Sequence, residues 1–300
     1  MRVLRTIEEL APFQGGAFVP TMGALHAGHA ALIEQARSIA GGVISGGVVS
    51  GGGSPVVVSI FVNPTQFGPN EDFSRYPRTF EADREVAAGA GADAVFAPDV
   101  ETMYPSPPHP PTPEPPLPPV ATMPLLEDTC RPGHLAGVCQ VVARLFDLVR
   151  PRWAVFGEKD YQQLRTIEAM VAMQNAASTP RWPGLEIVAH PTVREPDGLA
   201  MSSRNRYLNE TDRPRALGLF RALQEARSLA APGRPTRRIE EAMRAVLVRH
   251  GLDVQYAVVR DALTLMPIDM VPRPGSGSSA RALIAARLGD VRLIDNVAIG

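Results

Sequence analysis

Five short runs, mostly apolar and continuous rather than alternating, constrain the fold of this chain most: AFVPT (17–21), VVVSIFV (56–62), DAVFAP (93–98), WAVFG (153–157) and LEIVAHPTV (185–193). A strand that is apolar on both faces has to be covered on both. The cover is supplied by segments of helical period at 29–40, 78–90, 135–149 and 161–175, which alternate with the runs. Strand and helix in alternation predict an α/β domain with a doubly wound parallel sheet over residues 1–200. Past residue 200 the pattern changes to two helices (211–231 and 236–250), strand-like VQYAVVR and a hairpin pattern in ALIAARLGDVRLIDN. Residues 201–300 therefore read as a smaller α+β domain placed to close over the crevice of the first.

Three segments interrupt this order. Residues 41–55 are Gly- and Ser-rich without a GxxxxGK[ST] phosphate loop, and read as a flexible insertion. Ten of the fifteen residues from 105 to 119 are proline, which predicts an extended spacer that joins no central strand. PRPGSGSS (272–279) is a shorter linker. A formal charge of −1 gives no basic excess for nucleic acid or an anionic membrane, so small molecules are the expected partners. Cys130 and Cys139 form no CxxC pair, MRVLRTIEEL lacks the apolar centre of a signal peptide, and no 18-residue apolar span occurs. A cytoplasmic protein is expected.

In open parallel sheets ligands bind beyond the carboxyl ends of the strands. TMGALHAGH, NPTQFG and GEKDYQQ all fall at such ends. HAGH (26–29) opens a helix, whose unpaired N–H groups and positive dipole end suit phosphate, and Gly23 and Gly28 would let a ligand approach the backbone. Taken alone, HxGH is also compatible with half of a metal site or with a solvated loop. Of the 30 basic residues only Lys159 is lysine. A compact ammonium in GEKD, in a chain that elsewhere uses arginine, marks this position for phosphate chemistry.

The loops, taken in order, carry a resemblance. PTMGALHxGH, SIFVNPxQFG, YPRTxEAD, RPGHxxGV, GEKDYQQL, PTVRExDGLAMSSRN, VVRDAxTL and LIAARLGxxRLIDN resemble the pantoate-beta-alanine ligase (pantothenate synthetase) family of the HxGH nucleotidyltransferase superfamily, which also holds the class I aminoacyl-tRNA synthetases. The resemblance implies a Rossmann-like sheet domain and a two-step reaction. Pantoate attacks the α-phosphate of ATP, with Mg²⁺ present, and beta-alanine then displaces AMP from pantoyl adenylate. It implies His26, His29, Lys159 and Arg204 as catalytic residues, with His29 the proton donor. The implied ATP site consists of Met22, Gly23, Ala24, Leu25, His26, Ala27, Gly28 and His29, then Gly157, Glu158, Lys159 and Asp160, then Val193, Met201, Ser202, Ser203 and Arg204. Gln66, Gln163 and Asn63 are the implied binders of pantoate and beta-alanine, and the implied assembly is a homodimer. Thr65 replaces the family's common Met, Ala27 replaces a frequent Glu, and the Pro-rich tract precedes Glu127 and Arg131, where the family covers the site. Another HxGH-type nucleotidyltransferase, or a noncatalytic interaction protein on this fold, is the alternative.

Overall fold

The computed structural model describes residues 1–41, 43–44, 47–48, 53–68, 73–106 and 114–300. In chain order its elements are β1 (Arg2–Leu4), β2 (Ala17–Thr21), α1 (Ala27–Ala40), β3 (Val43–Ile44), β4 (Gly47–Val48), β5 (Val56–Ile60), α2 (Phe80–Gly89), β6 (Ala94–Phe96) and α3 (Val100–Met103). These are followed by α4 (Glu127–Cys130), α5 (His134–Val149), β7 (Trp153–Gly157), α6 (Tyr161–Asn175), β8 (Glu186–His190), α7 (Asp212–Leu229), α8 (Thr236–Arg249), β9 (Asp253–Asp261), β10 (Ala280–Leu288) and β11 (Val291–Ile299).

The main sheet has the order β1-β6-β5-β2-β7-β8, and every pair in it is parallel. One face is covered by α1 and α2, whose Ile33, Ala36 and Ala87 pack on Val19, Val56 and Val58. The other is covered by α5 and α6 around Phe18, Phe146 and Phe156. From β2 the chain winds outward to β5 and β6, and then returns to β7 on the other side of β2, so the winding reverses between β2 and β7. Their ladder spans only Ala17↔Trp153 and Phe18↔Ala154. Beyond Phe18 the two strands splay, in the stretch containing Pro20, which has no N–H to offer a neighbour. That opening is where a doubly wound sheet places its ligand.

Several strands are shorter than the apolar runs suggested. β6 stops before Pro98 and β8 before Pro191, both of which lack a ladder donor. β1 was not expected. It is three residues long and gains its order by pairing with β6, where Leu4 is fully buried. The Gly-rich stretch is not wholly an unpaired linker, because β3 and β4 pair antiparallel; positions 42, 45–46 and 49–52 lie outside the described residues. Residues 107–113 of the Pro-rich tract likewise lie outside them. The end of that tract differs from a free spacer: Pro115 and Pro118 are buried, and Gln140 Nε2 donates to Glu114 Oε1 at 3.0 Å.

The C-terminal hundred residues form an antiparallel sheet, β11-β10-β9, backed by α7 and α8. β10 is apolar on both faces. Ala282, Ile284 and Ala286 point into the core shared with α7 and α8, whereas Leu283 and Ala285 join Tyr256 and Leu265 in the core of the first sheet.

Candidate active site

After β2 the backbone turns through Gly23 and Ala24, at φ 86° and 51°. This turn is held from inside by Asp83 of α2, which is only 2% exposed and accepts from Ala24 N (3.0 Å), Leu25 N (2.8 Å) and Thr79 Oγ1 (3.0 Å). A Cβ on Gly23 would lie 2.9 Å from Asp83 Oδ2, and one on Gly28 would lie 2.8 Å from the His26 ring. Both glycines therefore make room for the protein's own groups; Gly28 also faces the cavity described below, whereas Gly23 does not, and the Ala24 and Leu25 amides are already used.

His26 caps α1. Its Nδ1 accepts from Gly28 N at 3.1 Å, and His29 Nδ1 accepts from His26 N at 3.3 Å. A neutral imidazole that accepts at Nδ1 carries its proton on Nε2, so both rings are fixed as Nε2–H donors. The rings are tilted against each other with centroids 4.1 Å apart. Burial, then Lys159 and Arg206, lowers His26 to about 4; burial, then His26, lowers His29 to about 3. Both are neutral at pH 7.

Beyond β5, the turn Pro64–Gln66 lies against α5. Asn63 is fully buried, and its Nδ2 donates to the Gly137 carbonyl at 3.1 Å and to Gln66 Oε1 at 3.3 Å. Gln66 Nε2 in turn points at Met22 Sδ, 3.1 Å away. Arg131 Nη1 is 2.8 Å from His134 Nε2, and a guanidinium can only donate, so His134 Nδ1–H donates to the Gln66 carbonyl at 2.9 Å. Asn63 and His134 thus set the Gln66 turn from behind.

The Glu158–Asp160 turn after β7 is held by the C-terminal sheet. Asn296 Nδ2 donates to the Glu158 and Lys159 carbonyls, both at 2.9 Å, and Arg281 pairs with Glu158 at 2.7 Å while stacking 3.7 Å over the Tyr161 ring. Lys159 Nζ lies 3.5 Å from Asp160. Burial would raise the Asp160 carboxyl, but Lys159, Arg204 and His134 outweigh it and hold the pKa below its ordinary value. In the last loop Met201 N donates to Val193 O at 2.9 Å, and Ser202 Oγ accepts from Arg204 N at 3.2 Å, opening the turn Ser203–Tyr207.

These loops enclose a cavity of about 220 Å³ at the splayed ends of β2 and β7. Met22, His26, Gly28 and His29 line it, with Gln66, Gly157, Lys159, Asp160 and Gln163. Val193, Met201, Ser202, Ser203 and Arg204 complete the expected set. Gly23, Ala24, Leu25, Ala27, Asn63 and Glu158 do not line it; they support the residues that do. The wall that sequence reasoning missed is apolar: Val138, Val141, Val142 and Leu145 of α5. Its signal was present, since α5 is buried on nearly every face.

Beside the cavity, Glu127 is 7% exposed and accepts from Tyr256 Oη (2.7 Å) and from both Arg292 terminal nitrogens (2.8 and 2.6 Å), which ties α4 to the C-terminal sheet. Burial alone would raise its carboxyl, yet Arg292 and Tyr256 hold it below the ordinary carboxylate value. Among the described residues no three His, Cys, Asp or Glu side chains are grouped to hold a metal by themselves, and no helix is long and apolar enough to cross a membrane.

The family model described as pantoate-beta-alanine ligase matches residues 2–298. A pantothenate synthetase of Xanthomonas axonopodis pv. citri is 47% identical over 94% of this chain and 90% of its own length. One of Nocardioides sp. is 47% identical over 97% of this chain and 83% of its own. The crystal structure of pantothenate synthetase from Thermus thermophilus superposes with a TM-score of 0.83 at 41% identity, covering 99% of each chain. The pantoate-beta-alanine ligase of Francisella tularensis, complexed with beta-gamma ATP and beta-alanine, gives a TM-score of 0.72 at 30% identity over 99% of this chain and 97% of that one. The chain belongs to the pantoate-beta-alanine ligase family, whose members join pantoate and beta-alanine to make pantothenate.

Proposed function

We propose that this crevice makes pantothenate through pantoyl adenylate, with ATP as the activating substrate. A pantoate carboxylate oxygen attacks the α-phosphorus; the new P–O bond forms as the bond to the β-phosphate breaks, and the electron pair leaves on pyrophosphate. The beta-alanine amine, as free base, then attacks the acyl carbon and AMP departs. Such transfers need alignment and neutralisation of charge more than covalent help. The observation that carries this reading is the meeting, at the β2/β7 switch point, of two imidazoles fixed as Nε2–H donors with Lys159, Arg204 and the amides of Gln66 and Gln163.

His26 and His29 begin as neutral donors. A triphosphate beside them favours the protonated form, which suits His29 to pass a proton to the departing phosphate. Lys159 and Arg204 offset the charge that gathers on the phosphates, and Ser202 and Ser203 offer hydroxyls to pyrophosphate. Gln66 and Gln163 can donate to the pantoate carboxylate and accept from its hydroxyls. Met22, Gly28, Gly157, Val193 and Met201 shape the nucleotide pocket. Asp160 is the one carboxylate lining this cavity among the described residues, and Mg²⁺ is commonly bound by one or two carboxylates together with substrate phosphates. Asp160 would hold such an ion, which when bound neutralises phosphate charge. Residues 201–300 cover the crevice through the Met201–Arg204 loop, and the same reading carries a cytoplasmic homodimer, tested by sedimentation of the purified chain.

The experiment is exchange of labelled pyrophosphate into ATP. It should require pantoate and Mg²⁺, and beta-alanine should then release AMP. Exchange driven equally well by unrelated carboxylates would overturn the assignment.

A further inference from the structure

A second cavity, of about 670 Å³, lies behind the first and shares Lys159, Asp160, Ser202 and Arg204 with it. Its far wall comes from elements that the reaction above does not use. The β10–β11 hairpin supplies Arg287 from β10, Asp290 from the turn and Arg292 from β11, and the turn Phe73–Arg75 supplies Arg75. Six cationic side chains and three carboxylates line it. Arg292 is committed to Glu127, Asp295 to Arg194 and Lys159 to Asp160.

Two of these cations are held by almost nothing. Among the described residues the Arg75 side chain has no hydrogen-bond or ion-pair partner, and Arg287 reaches only the Asp290 carbonyl, at 3.3 Å. Tyr207 Oη donates to the Arg75 carbonyl at 3.0 Å, which ties the turn Phe73–Arg75 to the turn Ser203–Tyr207. Cations left unneutralised along one side of a cavity concentrate anions there. The anion that arises at the shared wall is the leaving group of adenylation.

We propose that this second cavity receives inorganic pyrophosphate as it leaves Lys159 and Arg204, with Arg75 and Arg287 as its outer binding groups. The proposal rests on the adenylation reading and adds the route by which the first product departs. Pyrophosphate passes from the shared wall toward Arg287 and Arg75, away from the apolar α5 wall where the acyl adenylate stays. The reverse reaction must bring pyrophosphate in by the same way, so the exchange assay reads this site directly.

Arg75→Ala and Arg287→Ala test it, since neither residue takes part in the chemistry and they lie on separate elements. With ATP and pantoate saturating, the KM for pyrophosphate should rise about fivefold or more in each variant. The KM values for ATP and pantoate should stay within twofold, and Arg287→Lys should restore most of the affinity. Raising the salt to about 0.5 M should shrink the difference between parent and variants, because exposed charges are then screened within a few ångströms. A pyrophosphate KM within twofold of the parent in both alanine variants would overturn the proposal. So would a parallel rise in the KM for ATP, which would mean that the cavity holds the nucleotide's own triphosphate tail. Absence of pantoate-dependent exchange in the parent would instead overturn the adenylation reading.

Discussion

Gly137→Ala separates local propensity from site geometry. Gly137 lies in the first turns of α5, where alanine would favour the helix by about 0.8–1 kcal/mol. The added Cβ would nevertheless sit 2.5 Å from the Thr65 carbonyl oxygen and 2.7 Å from both the Cα and N of Gln66. These are backbone atoms and cannot rotate away. To reach an ordinary 3.4 Å contact the Thr65 oxygen must retreat by about 0.9 Å and the Gln66 backbone by about 0.7 Å. Overpacking of this kind costs about 1–3 kcal/mol, so net stability should fall by at most about 2 kcal/mol. The functional loss should be larger, because a catalytic or binding group displaced by about 1 Å can cost about a hundredfold. Pyrophosphate exchange with pantoate varied, run beside a thermal melt, measures both. A raised pantoate KM and reduced exchange are expected with the ATP KM little changed, since His26 and Lys159 lie on other loops. Pantoate kinetics within twofold of the parent would show that the crowding is relieved without moving Gln66, and would refute the argument.

Lys159→Arg should reduce exchange about as severely as Lys159→Ala, on the order of a hundred- to a thousandfold, because the flat guanidinium replaces a compact charge at the shared wall; retention of more than about a tenth of parental activity would show that charge alone suffices. His29→Gln should flatten the pH dependence of stability. The parent's His29 titrates at about 3 in the fold and near 6.5 when unfolded, so the unfolded chain takes up the proton first and stability falls as pH drops from 6.5 toward 3. The slope is about 1.4 kcal/mol per pH unit for one full proton, read by urea unfolding across this window, and equal slopes in parent and variant would contradict the buried neutral imidazole. Glu127→Ala strands the Arg292 guanidinium and should cost about 3–5 kcal/mol in the same assay, whereas Tyr256→Phe should cost about 1 kcal/mol; a loss below about 1 kcal/mol for Glu127→Ala would show that water reaches the charge.

The elements legible in the sequence were those whose residues declare their own burial. β2, β5 and β7 are apolar on both faces, and the Pro and Gly residues around them mark the ends. β1 was not legible, because three residues carry no period and Leu4 is buried only through its partner strand. The cavity-lining His26, His29, Lys159, Arg204, Gln66 and Gln163 were found because their motifs are local. The groups that orient them act across long stretches of chain: Asp83 is 59 positions from Ala24 and 58 from Leu25, and Asn296 is 137 from Lys159. No spacing rule reaches that far. The sequence cannot say which face of a glycine is occupied: Asp83 stands where a Gly23 side chain would be and the His26 ring where a Gly28 side chain would be, while Gly28 also lines the cavity. Glu158 and Asn63 fell inside the right motifs, but their side chains face Arg281 and Gly137.

The division of β10 between two cores governs how the whole chain unfolds. Leu283 and Ala285 are buried among the residues of the first sheet, and Ala282, Ile284 and Ala286 among those of α7 and α8. Neither half can let go without wetting one side of the same strand. Denaturation should therefore run as one cooperative transition across both sheets, with no stage in which the C-terminal hundred residues melt alone. A fragment ending near residue 200 would present the greasy patch that Tyr256, Leu265 and Leu283 now cover, and would tend to self-associate. Substrate entry is then left to short loop movements around residues 73–75 and 201–207, because a swing of the entire C-terminal unit would tear that seam.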